Sequence, residues 1–490
     1  MTSDSFSAAP AGLRRKVVRG LGWKLLGQGF AQVTSAGVAI LLAHLLTPKD
    51  FGLAGMALVF TGIMSVFTDL ALGAALVQRA TIDEEDRSTA FWTSLSVGVV
   101  LTVIGVALAP LVADFFSMPA VMPLFAASAT LAILASLSVT QSALLTREMN
   151  FRSLEIRGMV SALAGAATAV PLAFAGAGAW AIVGQTISGA AVSVVLLWRL
   201  SPWRPRFVYS VRSLRTLGSF GLKTFFSQIL GYLVDNMDNL LVGRFLGSSA
   251  LGVYAVAFNV MFLPVGRISR PVQQVVFAAF AKLQSDRERL VDAWLRGNRL
   301  VAAVNVPAFL GMAVVAPDFV PVVLGNKWHA AVPVLQLLSL AGVAQSLQTL
   351  NWSTVQSTGR AGVMLRLRLF STPLTLAAFS LGLYWGVVGV AGLFAVARFI
   401  ILGVSTVVTC RALGASVIRF VRHITPVTVM AVVMAVAVYF ARIALVDAHV
   451  GNPVRLLALV LLGMVIYLAL VMWRTPDLIG EVRQLLRRSP

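Results

Sequence analysis

Ionisable and amide side chains interrupt two long apolar stretches between residues 221 and 283. Each stretch is long enough to cross a hydrocarbon core of about 30 Å. The polar side chains inside them are Gln228, Asp235, Asn236, Asp238, Asn239, Arg244, Arg267 and Arg270. Because charge at that depth is costly, such residues usually face a water-filled or protein-lined interior and mark what is moved through it. We interpret this helix pair as half of a transport cavity.

Three arginines are candidates for binding an anion. Arg267 and Arg270 are three residues apart, so they share one side of a helix. Arg398 lies about 20 Å into its own span at 1.5 Å per residue, too deep to reach the headgroups easily. The planar donor fork of arginine suits phosphate oxygens. A structural role for each arginine, with snorkelling of Arg267 and Arg270 to the headgroups, remains the alternative.

The acidic residues of the spans are candidates for coupling transport to an ion gradient. Asp235 and Asp238 lie about 18 and 14 Å from the end of their span at Gly247. Pairing with Arg244 and binding of a coupling cation are both open to them. Asp69 lies in a second span, where a helix-packing hydrogen bond is the alternative to a transport role.

The beginning of the chain and the region after residue 221 repeat each other at a spacing of 200 residues. Gln28 aligns with Gln228, and the alignment continues without a gap to Gly52 and Gly252. Gln28 and Ser35 share one face of their helix, as positions seven residues apart do. Parallel repeats of this kind place a substrate site between two lobes. We therefore expect Gln28 and Gln228 to line the cavity.

The composition is that of a polytopic membrane protein. Of the 490 residues, 58% are hydrophobic and 12% are charged, and the mean hydropathy is +0.87. The single cysteine, Cys410, excludes intramolecular disulfides, and the four histidines have no metal-binding spacing. We expect no metal and no cofactor. The net charge of +20 needs no nucleic-acid partner, because the basic residues are spread over many segments.

The hydropathy pattern predicts an all-α fold of 14 transmembrane helices, with two pseudo-symmetric six-helix lobes around a central cavity and two further C-terminal helices. The predicted segments are an N-terminal arm at 1–19, an N-lobe at 20–198, a basic linker at 199–215, a C-lobe at 216–410, a peripheral helix pair at 411–473 and a tail at 474–490. Outside the spans, the lysines and arginines lie on the side of the two termini, except for Lys49, Lys327, Arg442 and Arg455. This asymmetry predicts that both termini are cytoplasmic.

Two loops on the predicted cytoplasmic side have unusual compositions. The stretch WRLSPWRPRFVYSVRSLR is typical of a linker on the membrane surface, with a short interfacial helix as one form. Topology alone explains its arginines, and attraction of an anionic lipid-linked substrate is the alternative. The acidic loop TIDEEDRST is interpreted as a solvated connector.

Several stretches follow one another along nearly the whole chain in an order and spacing that together are specific. They are GWKLLGQGFAQVTSAGVAILLAHLLTPKDFGLAGMALVF, DLALGAALVQR, LLTREMNFRSLEIRG, DNMDNLLVGRFLGSSALGVYAVAFNV, and the pair Gly359 and Arg360. In these stretches the chain resembles the multidrug/oligosaccharidyl-lipid/polysaccharide exporter superfamily, and within it the Wzx-type flippases of the WzxC-like branch.

The resemblance implies a flippase that moves an undecaprenyl-diphosphate-linked oligosaccharide across the bacterial inner membrane by alternating access, for exopolysaccharide, capsule or O-antigen biosynthesis. An H⁺ or Na⁺ gradient or the membrane potential would drive it. Membrane lipids and polysaccharide polymerase or export proteins are the further partners implied. The resemblance implies these roles for Arg267, Arg270 and Arg398 with phosphate and for Asp235 and Asp238 in coupling. Gln28 and Gln228 are further candidates for binding substrate in the cavity, and Arg244 and Asp69 for coupling or gating.

Three other classes of function compete with a flippase. A drug or cation antiporter shares the fold but uses buried carboxylates with few cavity arginines. An enzyme acting on lipid-linked sugars needs catalytic groups on a sizeable outer loop, and the predicted outer loops are too short to build such a site. A scaffold without transport has no reason to keep ionisable residues in the middle of its spans.

Overall fold

The computed structural model describes residues 11–69, 72–79, 81–264, 286–357 and 361–475. Within these ranges all regular secondary structure is helical and no strand is present. A helix satisfies its own backbone donors and acceptors, which a segment surrounded by hydrocarbon must do. The predicted all-α polytopic fold is confirmed, and the chain is a multi-pass membrane protein.

The chain divides into two compact units, Met1–Gly252 (unit 1) and Val253–Pro490 (unit 2). The division falls inside a helix, five residues after a break in its backbone at Gly247, where φ is 83°. The six-helix lobes and their limits stay a prediction. The helices that begin in unit 1 are α1 (Ala11–Leu45), α2 (Pro48–Asp69), α3 (Leu72–Gln78), α4 (Glu84–Phe116), α5 (Val121–Ala129), α6 (Leu131–Arg147), α7 (Phe151–Phe174), α8 (Ala179–Leu200) and α9 (Val211–Pro264).

Unit 2 contains the later helices of the described chain. They are α10 (Arg287–Phe319), α11 (Ala331–Ser357), α12 (Ala361–Gly382), α13 (Gly386–Leu413), α14 (Val417–Asp447) and α15 (Asn452–Arg474). A π-helical turn at Val320–Leu324 and a 3₁₀ turn at Asn326–Trp328 connect α10 to α11, and a second 3₁₀ turn at Leu383–Trp385 connects α12 to α13.

Among the described residues, twelve helical segments are long and apolar enough to cross a membrane. Two of these segments contain a glycine with positive φ. One is Gln228–Leu263, which includes the break at Gly247, and the other is Gly362–Leu413, which includes Gly386 at the turn between α12 and α13. The count of 14 transmembrane helices stays a prediction.

The segment between α8 and α9 is not helical at residues 201–210, where an interfacial helix was one expected form. Side chains of unit 1 hold it as an extended strap. The indole of Trp203 donates to both carboxylate oxygens of Glu84 at 3.0 and 3.1 Å, and the indole of Trp92 donates to the Arg206 carbonyl at 2.7 Å. Phe207 stacks on Trp92 with ring centres 5.1 Å apart.

The acidic loop before α4 is part of the packed structure, and its interpretation as a solvated connector is wrong. Asp83 accepts from the Asp86 backbone at 2.7 Å and forms a capping box that starts α4. Asp86 is buried and pairs with Arg79 at 2.7 Å. Arg147 donates to three carbonyls near the end of α3, including that of Leu76 at 3.0 Å. The acidic groups therefore accept hydrogen bonds from the first turn of α4 and from the strap.

Within unit 2, a buried carboxylate on α10 joins that helix to the two C-terminal helices, α14 and α15. Asp318, near the end of α10, is fully buried and accepts from Nε of Arg442 on α14 at 2.5 Å and from Nε of Arg455 on α15 at 2.7 Å. Arg455 also donates to the Val450 carbonyl at 3.0 Å and to the Asn452 side chain at 2.7 Å. Arg442 and Arg455 are two of the four exceptions to the charge asymmetry of the sequence. Their role as partners of Asp318 accounts for their position.

Replacement of Asp318 by alanine is expected to lower the free energy of unfolding by about 3 kcal/mol, because two largely buried guanidinium groups lose their counter-charge. The matched control is Asp292→Ala, which removes an exposed pair with Arg419 at 2.8 Å that also joins α10 to α14. That change is expected to cost less than about 1 kcal/mol. Thermal unfolding of the detergent-purified protein measures both, and equal losses for the two variants would contradict the clamp.

Candidate functional site

The predicted site residues fall into three groups in the structure. Arg267 and Arg270 lie outside the described residues, and so does the side chain of Asp69, the last residue of α2. Gln28 lies on α1 and is exposed. The remaining residues lie on α9 and α13, and they are Gln228, Asp235, Asp238, Arg244 and Arg398.

One face of α9 carries two exposed polar side chains. Gln228 and Asp235 are both exposed, and their spacing of seven residues puts them on the same side of the helix. Asp235 lies about 18 Å from the break at Gly247 along the helix axis. This depth is near the middle of a hydrocarbon core, where a bare carboxylate needs water or a partner.

The two carboxylates of α9 lie in different environments. Asp238 is only 3% exposed, and its Oδ1 accepts from the Asn239 backbone at 2.8 Å. Asp235, three residues earlier, is exposed. An ion or proton from solution reaches an exposed carboxylate without any rearrangement, and Asp238 lacks this accessibility.

Aromatic contacts beside these exposed side chains hold α9 against α2, since Tyr232 is four residues from Gln228 and three from Asp235 and therefore shares their face. The Tyr232 hydroxyl donates to the Val59 carbonyl at 2.8 Å, and Phe225 meets Phe67 edge to face at 4.9 Å between ring centres. A Cβ at Gly62 would lie 2.0 Å from the Tyr232 hydroxyl oxygen. The sequence analysis missed the role of Gly62, although a glycine within an apolar span is an indication of such an approach.

The start of α2 crosses α9 at two glycines, Gly52 on α2 and Gly252 on α9, which lie 200 residues apart in the chain. A Cβ at Gly52 would lie 1.7 Å from the Ser248 carbonyl oxygen, and a Cβ at Gly252 would lie 1.8 Å from that of Pro48. Pro48 corresponds to Ser248 in the 200-residue register, so the two contacts are equivalent. The two repeats therefore meet backbone to backbone, and only glycine permits this approach.

Arg244 lies beside this crossing, within a turn of Gly247. Its Nη1 donates to the Ser117 hydroxyl at 2.8 Å, and its guanidinium lies 5.9 Å from the centre of the Phe115 ring. Ser117 ends α4 in the left-handed conformation, with φ at 54°. Arg244 thus joins α9 to the α4–α5 turn at one end of unit 1, away from the middle of the span.

Of the predicted phosphate ligands, Arg398 is the one that lies within the described residues. It is partly buried about 18 Å along α13 from Gly386. Its guanidinium lies 4.6 Å from the centre of the Phe394 ring, a distance typical of a cation–π contact. Phe394 in turn stacks on Phe379 at 5.2 Å. Unit 2 therefore holds a cation in the middle of a span on an aromatic support.

The described residues contain no group of three or more His, Cys, Asp or Glu side chains that could hold a metal ion. Amide and carboxylate groups are presented on α9, and a guanidinium is presented on α13.

Comparisons with known proteins point to one family. The family model described as "Polysaccharide biosynthesis protein" matches residues 41–333. The chain is 28% identical over 378 residues to the lipopolysaccharide biosynthesis protein WzxC of Escherichia coli K12, covering 76% of each chain. It is 27% identical over 481 residues to the succinoglycan biosynthesis transport protein ExoT of Rhizobium meliloti 1021, covering 97% of each chain.

The fold also matches a solved transporter structure. The lipid II flippase MurJ in an inward closed conformation superposes with a TM-score of 0.74 at 14% sequence identity, covering 93% of this chain and 99% of that chain. At this identity the match shows the fold alone. The resemblance to Wzx-type exporters stated from the sequence is confirmed by the family model and the WzxC relative.

Alanine at Gly52 or at Gly252 is expected to destabilise the protein by about 1–3 kcal/mol, because the added Cβ overlaps a backbone carbonyl of the other repeat. The control is Gly37→Ala on α1, where nothing lies within 4 Å of an added Cβ. That change removes a glycine from a helix interior and is expected to stabilise by up to about 1 kcal/mol. Thermal unfolding of the purified protein measures the three variants. A shift of the same sign for all of them would contradict the crossing.

Proposed function

Because the chain belongs to the polysaccharide biosynthesis protein family, we propose that it is a flippase for an undecaprenyl-diphosphate-linked oligosaccharide. It moves this lipid from the inner to the outer leaflet of the bacterial inner membrane, by alternating access, for the synthesis of an exopolysaccharide, capsule or O-antigen. A polymerase and export proteins then act on the product.

The relatives support this proposal through their names and their coverage of the chain. WzxC is named for lipopolysaccharide biosynthesis, and ExoT, which matches the chain over nearly its whole length, for transport in succinoglycan biosynthesis. A transporter for a sugar-bearing lipid suits both.

The observation that carries the proposal is the exposed carboxylate of Asp235 on α9. About 18 Å from the break at Gly247, it lies at a depth where a purely structural helix would present an apolar side chain to lipid. A chain that keeps a carboxylate there has a use for water inside the membrane. A diphosphate headgroup needs such a path, because an anion does not cross hydrocarbon without compensation.

Arginines are proposed to supply the compensating charge. Arg398 presents a guanidinium at mid-span, supported by Phe394, and guanidinium binds phosphate oxygens in a bidentate geometry. Arg267 and Arg270 are proposed for the same role from their positions in the sequence.

Asp235 is proposed as the coupling residue, because its carboxylate is exposed on α9. It would take up H⁺ or Na⁺ during the cycle, with Asp238 and Asp69 as further candidates. Arg244 is proposed to act in gating through its contact with Ser117.

The orientation is proposed from charge. The strap between α8 and α9 carries Arg204 and Arg206 and lies at the same end of unit 1 as the acidic loop before α4. The positive-inside rule places that end, together with both termini, in the cytoplasm.

A drug or cation antiporter is the second candidate, and the exposed carboxylate of Asp235 favours it. The two functions differ in what a cell loses with the gene. Loss of a flippase stops the appearance of polysaccharide on the cell surface, whereas loss of an antiporter makes cells sensitive to cationic drugs.

Replacement of Arg398 by leucine is expected to slow flipping by about 10- to 100-fold, the equivalent of one lost charge-assisted contact with the diphosphate. The rate is measured in proteoliposomes that contain the purified protein and lipid-linked oligosaccharide extracted from the host. The readout is the fraction of the sugar that an impermeant glycosidase can reach. The control is Arg411→Leu, at the exposed end of the same helix, which is expected to keep the wild-type rate within about twofold.

Two outcomes of this assay would contradict the proposal. The first is wild-type protein that leaves the sugar distribution unchanged relative to empty liposomes. The second is an Arg398→Leu variant that flips as fast as the Arg411→Leu variant, which would remove the proposed role of Arg398 while leaving flipping itself intact.

A further inference from the structure

Two arginines that have no role in the proposed function occupy matching places in the two units. Arg157 lies six residues after the start of α7, and its Nη1 donates at 3.3 Å to the hydroxyl of Ser142, five residues before the end of α6. Arg368 lies seven residues after the start of α12. Its guanidinium lies 6.0 Å from the ring centre of Trp352, five residues before the end of α11. In each unit, therefore, an arginine near the start of one helix contacts the last turns of the helix before it.

Both guanidinium groups keep N–H donors that a ligand can reach. Arg368 is exposed, and its guanidinium makes no hydrogen bond with the described residues. Arg157 is partly buried. Its Nε is buried without a partner, whereas its Nη2, which also makes no hydrogen bond with the described residues, is not buried. Because a guanidinium has five donors in a planar fork, most donors of each group are unused.

Neither guanidinium forms an ion pair with a carboxylate of the described residues. Glu155, two residues before Arg157, packs against α1 instead, where a Cβ at Gly27 would overlap its side chain. Other arginines at this end of unit 1 are occupied, since Arg79 forms an ion pair and Arg147 donates to three carbonyls. A guanidinium without a counter-charge inside a membrane protein is costly unless water or an anion accompanies it.

Both arginines lie close to one end of their helices. Arg157 is about 9 Å and Arg368 about 10 Å from the start of its helix, and helical side chains tilt toward that end. The end of α6 lies at the strap, where the Gln141 amide donates to the Trp203 carbonyl at 3.4 Å. The positive-inside rule assigns this end of unit 1, and the start of α12, to the cytoplasmic surface. The two guanidinium groups therefore lie near the level of the inner headgroups.

An open groove of about 540 Å³ lies beside Arg157, between α3 and α6, and Ser142 is one of the residues that line it. The hydroxyls of Ser138 and Thr146 in its wall already donate to carbonyls of α6. Apart from these groups and the Gln78 amide, the lining consists of alanine, valine and glycine. An apolar groove next to a cation suits a molecule that has both a hydrocarbon chain and a phosphate.

The number of cations distinguishes between two kinds of phosphate-bearing lipid. A lipid diphosphate carries two negative charges, and one guanidinium leaves one of them uncompensated. The phosphodiester of a phospholipid carries a single negative charge, which one guanidinium neutralises and binds in a bidentate geometry. Free snorkelling needs no fixed contact, yet Ser142 and Trp352 each hold one of the two guanidinium groups. Single, positioned cations favour a phospholipid.

We propose that Arg157 and Arg368 each bind the phosphate of an anionic phospholipid of the inner leaflet, so that each unit holds one such lipid at the same place in its fold. At Arg157 the accessible Nη2 donates to the phosphate, and one acyl chain lies in the groove between α3 and α6. At Arg368 the Trp352 indole positions the guanidinium. This binding does not depend on which substrate the protein transports.

Native mass spectrometry of the delipidated full-length protein in detergent tests the two sites by counting bound lipids. The probes are phosphatidylglycerol, phosphatidylcholine, which has the same phosphodiester but no net charge, and undecaprenyl diphosphate. Arg157→Gln and Arg368→Gln each remove one cation. The controls are Arg199→Gln and Arg411→Gln, which remove exposed cations near the ends of α8 and α13.

The wild type is expected to bind two molecules of phosphatidylglycerol more tightly than phosphatidylcholine. Each glutamine variant is expected to weaken one of the two by about 10- to 100-fold, the equivalent of one lost charge-assisted contact. The controls are expected to stay within about twofold of the wild type. Thermal unfolding confirms that the variants are folded. Arg157→Lys, which keeps the charge, is expected to retain more binding than Arg157→Gln, and Ser142→Ala to weaken one site by a few-fold.

Four outcomes would overturn the proposal. The first is a wild type that binds phosphatidylglycerol no better than phosphatidylcholine. The second is a pair of folded glutamine variants that bind phosphatidylglycerol as the wild type does. The third is an equal loss in the controls, which would show attraction by surface charge alone. The fourth is a loss of undecaprenyl diphosphate without a loss of phosphatidylglycerol, which would assign the arginines to the lipid-linked substrate.

Discussion

The cost of placing charged and hydrogen-bonding groups in hydrocarbon is the constraint on which the rest of this structure depends. Most of the polar groups described here satisfy it with protein partners. Asp318 is surrounded by two guanidinium groups, and Arg147 donates to the carbonyls that end α3. Against this background the exposed carboxylate of Asp235, about 18 Å into α9 from Gly247, stands apart.

The contacts that hold α9 lie beside this carboxylate and do not cover it. Phe225 and Tyr232 meet α2, and the backbone at Gly252 meets the first residue of α2, Pro48. Glycine makes this possible, since each approach replaces a side chain with backbone contact. The same kind of approach occurs between α7 and α8, where Gly165 and Gly189 each face a carbonyl of the other helix.

Much of the fold could be predicted from the sequence because hydropathy and charge are one-dimensional properties. The helical class follows from the length of the apolar stretches. The polar residues of α9 are recognisable because they interrupt one of these stretches. The 200-residue register also aligned the two glycines that meet in the structure, Gly52 and Gly252. These features need no knowledge of which helices are neighbours.

The remaining features depend on packing between distant segments. Asp318 is more than 100 residues from both of its arginine partners, and Trp203 is equally far from Glu84. Asp235 and Asp238 are three residues apart and look equivalent in sequence, yet only the second is buried. No local pattern predicts such arrangements.

Thiol accessibility along α9 tests most directly whether the side of the helix that carries Asp235 meets water inside the membrane. The native Cys410, which is buried, is first replaced by alanine, and single cysteines are then introduced at Gln228, Asp235 and Leu230. Leu230 is 65% exposed but points to the opposite side of the helix, because two residues turn it by about 200°. The account predicts rapid labelling of the first two cysteines by a charged, membrane-impermeant thiol reagent and little labelling of the third. Equally slow labelling of all three would contradict it.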